Sequence, residues 1–391
     1  MSDRPEDICP RPVPPAAGAH PLAPPLYLSS VYRCEDTSQA SAILSGEAAG
    51  YAYVRDGHPN AAILAERCRE LHAADAAAVT SSGMSALALA LLSLLKAGDH
   101  VLGSNQLYGQ SLNLLSTEVG RLGIGSTLVD TCDLPATGAA FTSSTRLVVV
   151  ETITNPLLHV SDISKLAELA HERGALLLVD NTLAGPVVCR PLALGADLVL
   201  ESITKTMNGH SDVLLGLLCG RAAAWDRVAS TRSTWGLTGS AMDSWLALRG
   251  LGTLALRIER AAATAQHVAE FLSARREVEA VHYPGLPSHP DHAVARQQFA
   301  GRFGTLVTFT LRGNLATAEA FIGAAANIPF CPSLGELSTT LTHPASTSHR
   351  AMTGEGRRRI GIHDGTIRLS IGLESAESIE ASLERALAGA K

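Results

Sequence analysis

The residue of this chain best placed to do chemistry is a lysine just past the end of an apolar run. In Asp197–Asp212, DLVLESITKTMNGHSD, the run Leu198–Leu200 leads into Ser202, Thr204 and Lys205, and Asn208-Gly209-His210 follows. An amine in a partly apolar crevice has a lowered pKa and becomes a usable nucleophile. The hydroxyls of Ser202 and Thr204 can donate to an anion such as a phosphate. The bland alternative is a surface lysine in a turn.

The same letters, Ser202-Ile203-Thr204-Lys205, also spell the S-x-x-K of penicillin-binding acyl-enzymes. That chemistry needs S-D-N and K-T-G as well. Here Ser211-Asp212 is followed by Val213, and no K-T-G occurs. A serine of that kind also opens a helix instead of following a strand, so the acyl-enzyme reading is set aside.

Two further segments carry chemical types at strand ends. In Leu176–Thr182, LLLVDNT, Asp180 closes an apolar strand. A carboxylate there is costly unless it meets a cation, or unless it caps the following loop. In Val79–Ala86, VTSSGMSA, a strand–turn–helix sets the backbone N–H groups of Gly83 and Met84 at a helix N-terminus, ready to hold a phosphate. A ligand-free tight turn is the alternative. Neither G-x-x-x-x-G-K-[ST] nor G-x-G-x-x-G occurs at these turns, so nucleotide binding is disfavoured. An enzyme using pyridoxal phosphate needs all three parts: an amine, a carboxylate for the protonated ring nitrogen, and a phosphate cup.

The elements that must position these residues alternate in period. Short apolar runs at Ala76–Thr80, His100–Gly103, Ser126–Val129, Leu147–Val150, Leu176–Val179, Leu198–Leu200 and Leu214–Cys219 read as buried parallel strands. Helical segments lie between them at Gly83–Lys96, Ser111–Leu122 and Ser161–Arg173, the last with Ser161-Asp162 as N-cap and Gly174 as C-cap. Such alternation predicts a mostly parallel sheet covered on both faces, with a ligand site at the carboxyl ends of its strands. From Met242 to Arg276 the pattern becomes one long helical stretch. Strands at Val278–Tyr283, Thr305–Leu311 and Ile367–Ile371 follow, with helices at Ala316–Ala326 and Ala376–Ala388. The expected organisation is an extended arm over 1–60, a large domain over 61–241 and a smaller α+β domain over 242–391. An arm of that length gains stability by lying on a second subunit.

Composition excludes several function classes. Lys+Arg 31 against Asp+Glu 37 leaves a net charge of -6, and no basic stripe offers itself to a nucleic acid. No apolar run approaches the roughly 20 residues needed to span a bilayer, and the Pro-rich N-terminus lacks a signal-peptide pattern. Seven scattered cysteines, none in C-x-x-C spacing, indicate neither zinc nor a redox dithiol but free thiols in a reducing cytoplasm. No metal site is expected.

From PPLYLSS at Pro24–Ser30 to IRLSIGLES at Ile367–Ser375, the chain resembles the Cys/Met-metabolism, or trans-sulfuration, family of pyridoxal-phosphate enzymes. DLVLESITKTMNGHS matches that family's lysine signature except at Thr206, where a bulkier residue is usual. The resemblance implies the type I pyridoxal-phosphate, aspartate aminotransferase-like α/β fold and pyridoxal 5'-phosphate as cofactor. It implies that Lys205 joins the cofactor and shuttles protons, that Asp180 pairs with the ring nitrogen, and that Tyr108 in LYGQS stacks on the ring. Gly83, Met84, Ser202 and Thr204 would hold the phosphate. Tyr53 and Arg55 in YAYVRDGHPN would reach the neighbouring subunit's phosphate, which makes a homodimer the minimum unit and a homotetramer the usual assembly. Asn155 in ETITNP would sit near the cofactor and the substrate carboxylate. Arg368 would clamp that carboxylate, and Thr339 would belong to the loop lining the same pocket and contribute to substrate binding.

The departures bear on substrate. His58 and Asn60 replace residues of the usual Asn-Pro-Thr, and Gln110 stands where methionine γ-lyases carry a cysteine, which disfavours that lyase. Ser338 stands where cystathionine enzymes often carry a glutamate, and THPASTSH at Thr342–His349 is similar to the sulfhydrylases. The expected reaction is γ-replacement or γ-elimination on a homoserine- or cystathionine-like amino acid. Cystathionine β-lyase and a non-catalytic cofactor-binding scaffold are the alternatives.

Overall fold

A computed structural model describes residues 21–350 and 352–390. The first 20 residues of the arm, including Cys9, lie outside the described residues. The large sheet has seven strands: β1 (Ala76–Thr80), β2 (His100–Ser104), β3 (Gly125–Val129), β4 (Thr145–Glu151), β5 (Leu176–Asp180), β6 (Leu198–Ser202) and β7 (Gly216–Gly220). Their order across the sheet is β1-β7-β6-β5-β4-β2-β3. The apolar runs are continuous because both faces are buried. Val148 and Val150 pack into the core on one face, together with Leu177, Val179 and Val199. Leu147 and Val149 pack with Leu178, Leu198 and Leu200 on the other.

One strand runs against expectation. β3, β2, β4, β5 and β6 are mutually parallel, but β7 is antiparallel to both β6 and β1. A parallel return needs a crossover, usually a helix. The chain between β6 and β7 carries the Lys205 turn instead, and that turn leads straight back along its neighbour.

The smaller sheet comprises β8 (Val278–His282), β9 (Leu306–Leu311), β10 (Thr340–Thr342) and β11 (Thr366–Ser370), in the all-antiparallel order β10-β11-β9-β8. β10 had no signal in the sequence, since three polar-flanked residues form a strand only by pairing with β11. The helices Leu254–Ser273, Leu315–Ala324 and Ala376–Gly389 supply the core of this sheet. The expected single helix over Met242–Arg276 is two, Ala241–Leu251 and Leu254–Ser273. They part at Gly252-Thr253, two residues after Gly250. Gly250 is needed where it is, because a Cβ there would stand 2.6 Å from the Asn208 carbonyl oxygen.

The arm is not wholly extended either. Asp36 accepts from the Gln39 N–H and starts a helix over Thr37–Ser45, which Gly46 closes at φ 80°. Pro59–His72 is helical as well, with His58 as N-cap. Trp245 Nε1 donates to the Pro24 carbonyl at 2.9 Å, and Asn60 Nδ2 donates to the Pro25 carbonyl at 2.8 Å, so the arm is stitched to its own subunit. No helix among the described residues is long and apolar enough to cross a membrane.

Candidate active site

The carboxyl ends of β4, β5 and β6 open into a cavity of about 500 Å³. Gly83, Met84, Tyr108, Asn155, Asp180, Ser202, Thr204, Lys205 and Arg368, all singled out from the sequence, line it together. Lys205 follows β6 directly, and its Nζ donates to Ser333 Oγ at 2.9 Å. Burial pulls its pKa down and the Arg368 charge adds to the fall, against Glu336, which holds it up. The turn behind it is clamped by Arg257, a residue that carried no sequence signal. Arg257 is buried and donates to the carbonyls of Thr206 at 2.7 Å and of Met207 and Gly250 at 3.0 Å.

Asp180, at the end of β5, accepts from the Thr182 hydroxyl at 2.5 Å and from the Thr182 N–H at 3.0 Å. Burial still pushes its carboxyl up to about 6, with the Glu201 charge adding to the rise. Glu151, at the end of β4, accepts from the Tyr108 N–H at 2.6 Å. Burial beside Asp180 raises Glu151 well above the usual carboxylate range. Both carboxyls therefore hold their protons to a higher pH than an ordinary carboxyl, and a cation reaching Asp180 would favour its ionised form.

Arg368 on β11 is buried at the other side. Its Nη1 donates to Asn155 Oδ1 at 2.8 Å, and its Nη2 donates to the Ser333 carbonyl at 2.7 Å. Its Nε has no partner among the described residues. Ser333 thus joins the amine of Lys205 to the guanidinium of Arg368, a link between residues far apart in the chain. At the phosphate turn, Ser82 caps the Gly83–Leu94 helix. A Cβ on Gly83 would stand 3.0 Å from that of Ser202, so glycine lets the helix start close on the end of β6 without displacing that side chain.

Three expectations need correction or restatement. Thr339 does not line the cavity. Its hydroxyl donates to Glu374 Oε2 at 2.8 Å and accepts from the Gly372 N–H at 3.0 Å, which pins the loop to the chain after β11. Tyr53 and Arg55 lie outside this cavity, on the arm, with the Arg55 guanidinium 5.3 Å from the Tyr53 ring centre. Thr204 lines the cavity, but its hydroxyl donates to the Leu215 carbonyl at 3.2 Å and accepts from the Leu215 N–H at 3.1 Å. Ser202 is therefore the freer hydroxyl of the pair. The residues that sequence reasoning missed are Glu151, Thr182, Ser333 and Arg257.

The Cys/Met metabolism PLP-dependent enzyme family matches the chain over residues 15–388. The chain belongs to that family. It is 38% identical to an L-methionine gamma-lyase of Fusobacterium nucleatum subsp. polymorphum, covering 94% of this chain and 93% of that protein. It is 39% identical to an O-succinylhomoserine sulfhydrylase of Pseudomonas aeruginosa, covering 93% and 90%. The solved cystathionine gamma synthase of Xanthomonas oryzae pv. oryzae, in complex with cystathionine, superposes with a TM-score of 0.89 at 37% identity, covering 94% and 93%. The chain is accordingly a pyridoxal-phosphate-dependent enzyme of sulfur amino-acid metabolism, not a non-catalytic scaffold.

The residues present fit that cofactor. Asp180 is a carboxyl with a raised pKa that a protonated ring nitrogen would bring back to its ordinary range. Gly83 and Met84 present a helix N-terminus to a phosphate, with Ser202 beside it. Lys205 offers an amine within the same cavity, and Tyr108 stands on its wall.

Proposed function

We propose that this enzyme carries out γ-replacement on an O-acyl-L-homoserine with a sulfur nucleophile, and γ-elimination when none is supplied. The observation that carries this reading is the Lys205–Ser333–Arg368 link. It fixes a proton-carrying amine relative to a carboxylate clamp. Pyridoxal phosphate, when bound, supplies a sink for the charge left on the substrate when a Cα proton departs. Asp180 holds the proton on the ring nitrogen, Arg368 and Asn155 orient the α-carboxylate, and Lys205 Nζ moves protons at Cα and Cβ. At Cγ the C–O bond breaks with the electron pair leaving on oxygen, and the thiolate forms the new C–S bond. The names of the sulfhydrylase and synthase relatives support the same substrate class.

Incubating the loaded enzyme with an O-acyl-L-homoserine, with and without sulfide or L-cysteine, tests the reading by product mass. A thiol or thioether amino acid formed only with the nucleophile supports it. Cleavage of L-cystathionine to homocysteine without any turnover of the esters would replace it with β-elimination.

Arg368→Lys keeps the charge but loses the planar fork that holds two groups at once. kcat/KM should fall roughly 10–100-fold, most of it in KM. An unchanged KM would remove Arg368 from substrate binding.

The reading includes a homodimer, with the exposed Tyr53 and Arg55 of each arm serving the partner's phosphate site. Refolding a mixture of Lys205→Ala and Arg55→Ala chains should then restore about a quarter of the sites, since only mixed dimers hold one intact site. A mixture no more active than its components would place Arg55 outside the catalytic unit.

A further inference from the structure

Five acidic or basic side chains line the cavity: Glu151, Asp180, Lys205, Arg368 and Arg350. The proposed reaction uses three of them: Asp180 serves the cofactor ring, Lys205 carries protons and Arg368 takes the α-carboxylate. Glu151 is engaged within the wall, where it accepts from the Tyr108 N–H at 2.6 Å. Arg350 has no assigned ligand. It ends the turn that begins after β10, and the carbonyl of its neighbour Ser348 would stand 3.4 Å from a Cβ on Gly109, so the turn packs against the segment carrying Tyr108. Arg350 Nη1 donates to the Thr347 carbonyl at 3.2 Å. Its Nε and Nη2 meet no partner among the described residues, and no carboxylate pairs with it. Arg368 is buried and Arg350 exposed, so one cation sits deep and the other at the mouth. Ser346, Thr347 and Ser348 flank the mouth with hydroxyl-bearing residues.

We propose that Arg350 binds a second carboxylate, distal to the α-carboxylate, so that the enzyme selects reactants whose far end is an acid. This rests on the reading above, in which a homoserine ester lies with its amino-acid end at Arg368 and its substituent towards the mouth. The distal acid comes from one of two sources: a dicarboxylic hemiester such as the O-succinyl group, or the carboxylate of an incoming L-cysteine.

Kinetics of the loaded wild type, Arg350→Gln and Arg350→Lys with O-succinyl- or O-acetyl-L-homoserine, each with sulfide or L-cysteine, separate the sources. If the acid is on the leaving group, Arg350→Gln lowers kcat/KM for the succinyl ester roughly 10–100-fold and leaves the acetyl ester with sulfide near wild type. If it is on the nucleophile, the loss follows cysteine and spares sulfide with either ester. Arg350→Lys recovers part of the loss in both cases. Equal loss in all four combinations, or none, overturns the proposal.

A binding measurement keeps the two readings apart. Thermal stabilisation of the loaded wild type by L-aminosuberate should exceed that by L-aminooctanoate, which carries a methyl in place of the distal acid. Arg350→Gln should abolish the difference. Retained discrimination with no ester turnover would sink the γ-replacement reading alone, and absent discrimination in the wild type would sink the assignment of Arg350.

Discussion

Lys205→Ala lowers turnover at least about 10³-fold, because one substitution removes both the amine that joins the cofactor and the proton carrier. The fold should survive. The Lys205 side chain donates one hydrogen bond, to Ser333 Oγ, and its backbone turn is held by Arg257 through the carbonyls of Thr206 and Met207. Removing a partly desolvated ammonium also relieves a burial cost. Thermal stability of the cofactor-free variant should therefore match or exceed that of the wild type, while its visible cofactor absorbance changes. Small primary amines should return part of the activity by standing in for Nζ. A variant with ordinary kinetics would remove Lys205 from the chemistry.

Asp180→Asn has the second largest effect. Breaking a buried charge pair costs about 3–5 kcal/mol, which at 1.36 kcal/mol per decade is roughly 10²–10⁴-fold in rate. The same residue sets a pH dependence in the cofactor-free chain. Its folded pKa of about 6 lies above the ordinary 3.8. Its contribution to stability is therefore fully present below the ordinary value and is lost as pH rises through the folded value. The difference is an upper bound of about 3 kcal/mol, reduced because the carboxyl faces a wet cavity. The melting temperature of the cofactor-free wild type should fall from about pH 4 to about pH 7 relative to that of Asp180→Asn. Pyridoxal phosphate should restore it, most at the upper end. Parallel pH profiles for the two proteins would mean that Asp180 is not strained by its surroundings.

What the sequence disclosed was local. Leu198–Leu200 followed by Ser-x-Thr-Lys, and Leu176–Val179 followed by Asp180, announce a strand with a chemical group at its end, and the structure places both groups in one cavity. The continuous apolar runs also announced a sheet buried on two faces. The hidden parts depend on partners distant in the chain. Ser333 lies 128 residues from the lysine that it holds, and Asn155 lies 213 residues from Arg368. Arg257 reads as one more basic residue on an Arg- and Glu-rich helix until its contacts with the lysine turn are seen. Thr339 shows the converse: its motif suggested a pocket residue, but Glu374 satisfies its hydroxyl outside the cavity. The direction of β7 was equally hidden, because the sequence showed a buried strand but not what its connection would do.

In this mechanism one lysine works at two adjacent carbons, and the isotope content of product formed in deuterated water reports on both. The loaded enzyme would be given an O-acyl-L-homoserine and sulfide, and the position of deuterium in the amino-acid product read by mass spectrometry and proton NMR. Deuterium is expected at Cβ as well as Cα, since γ-replacement removes and returns a proton at both. A product deuterated at Cα alone, or at neither carbon, would contradict this mechanism.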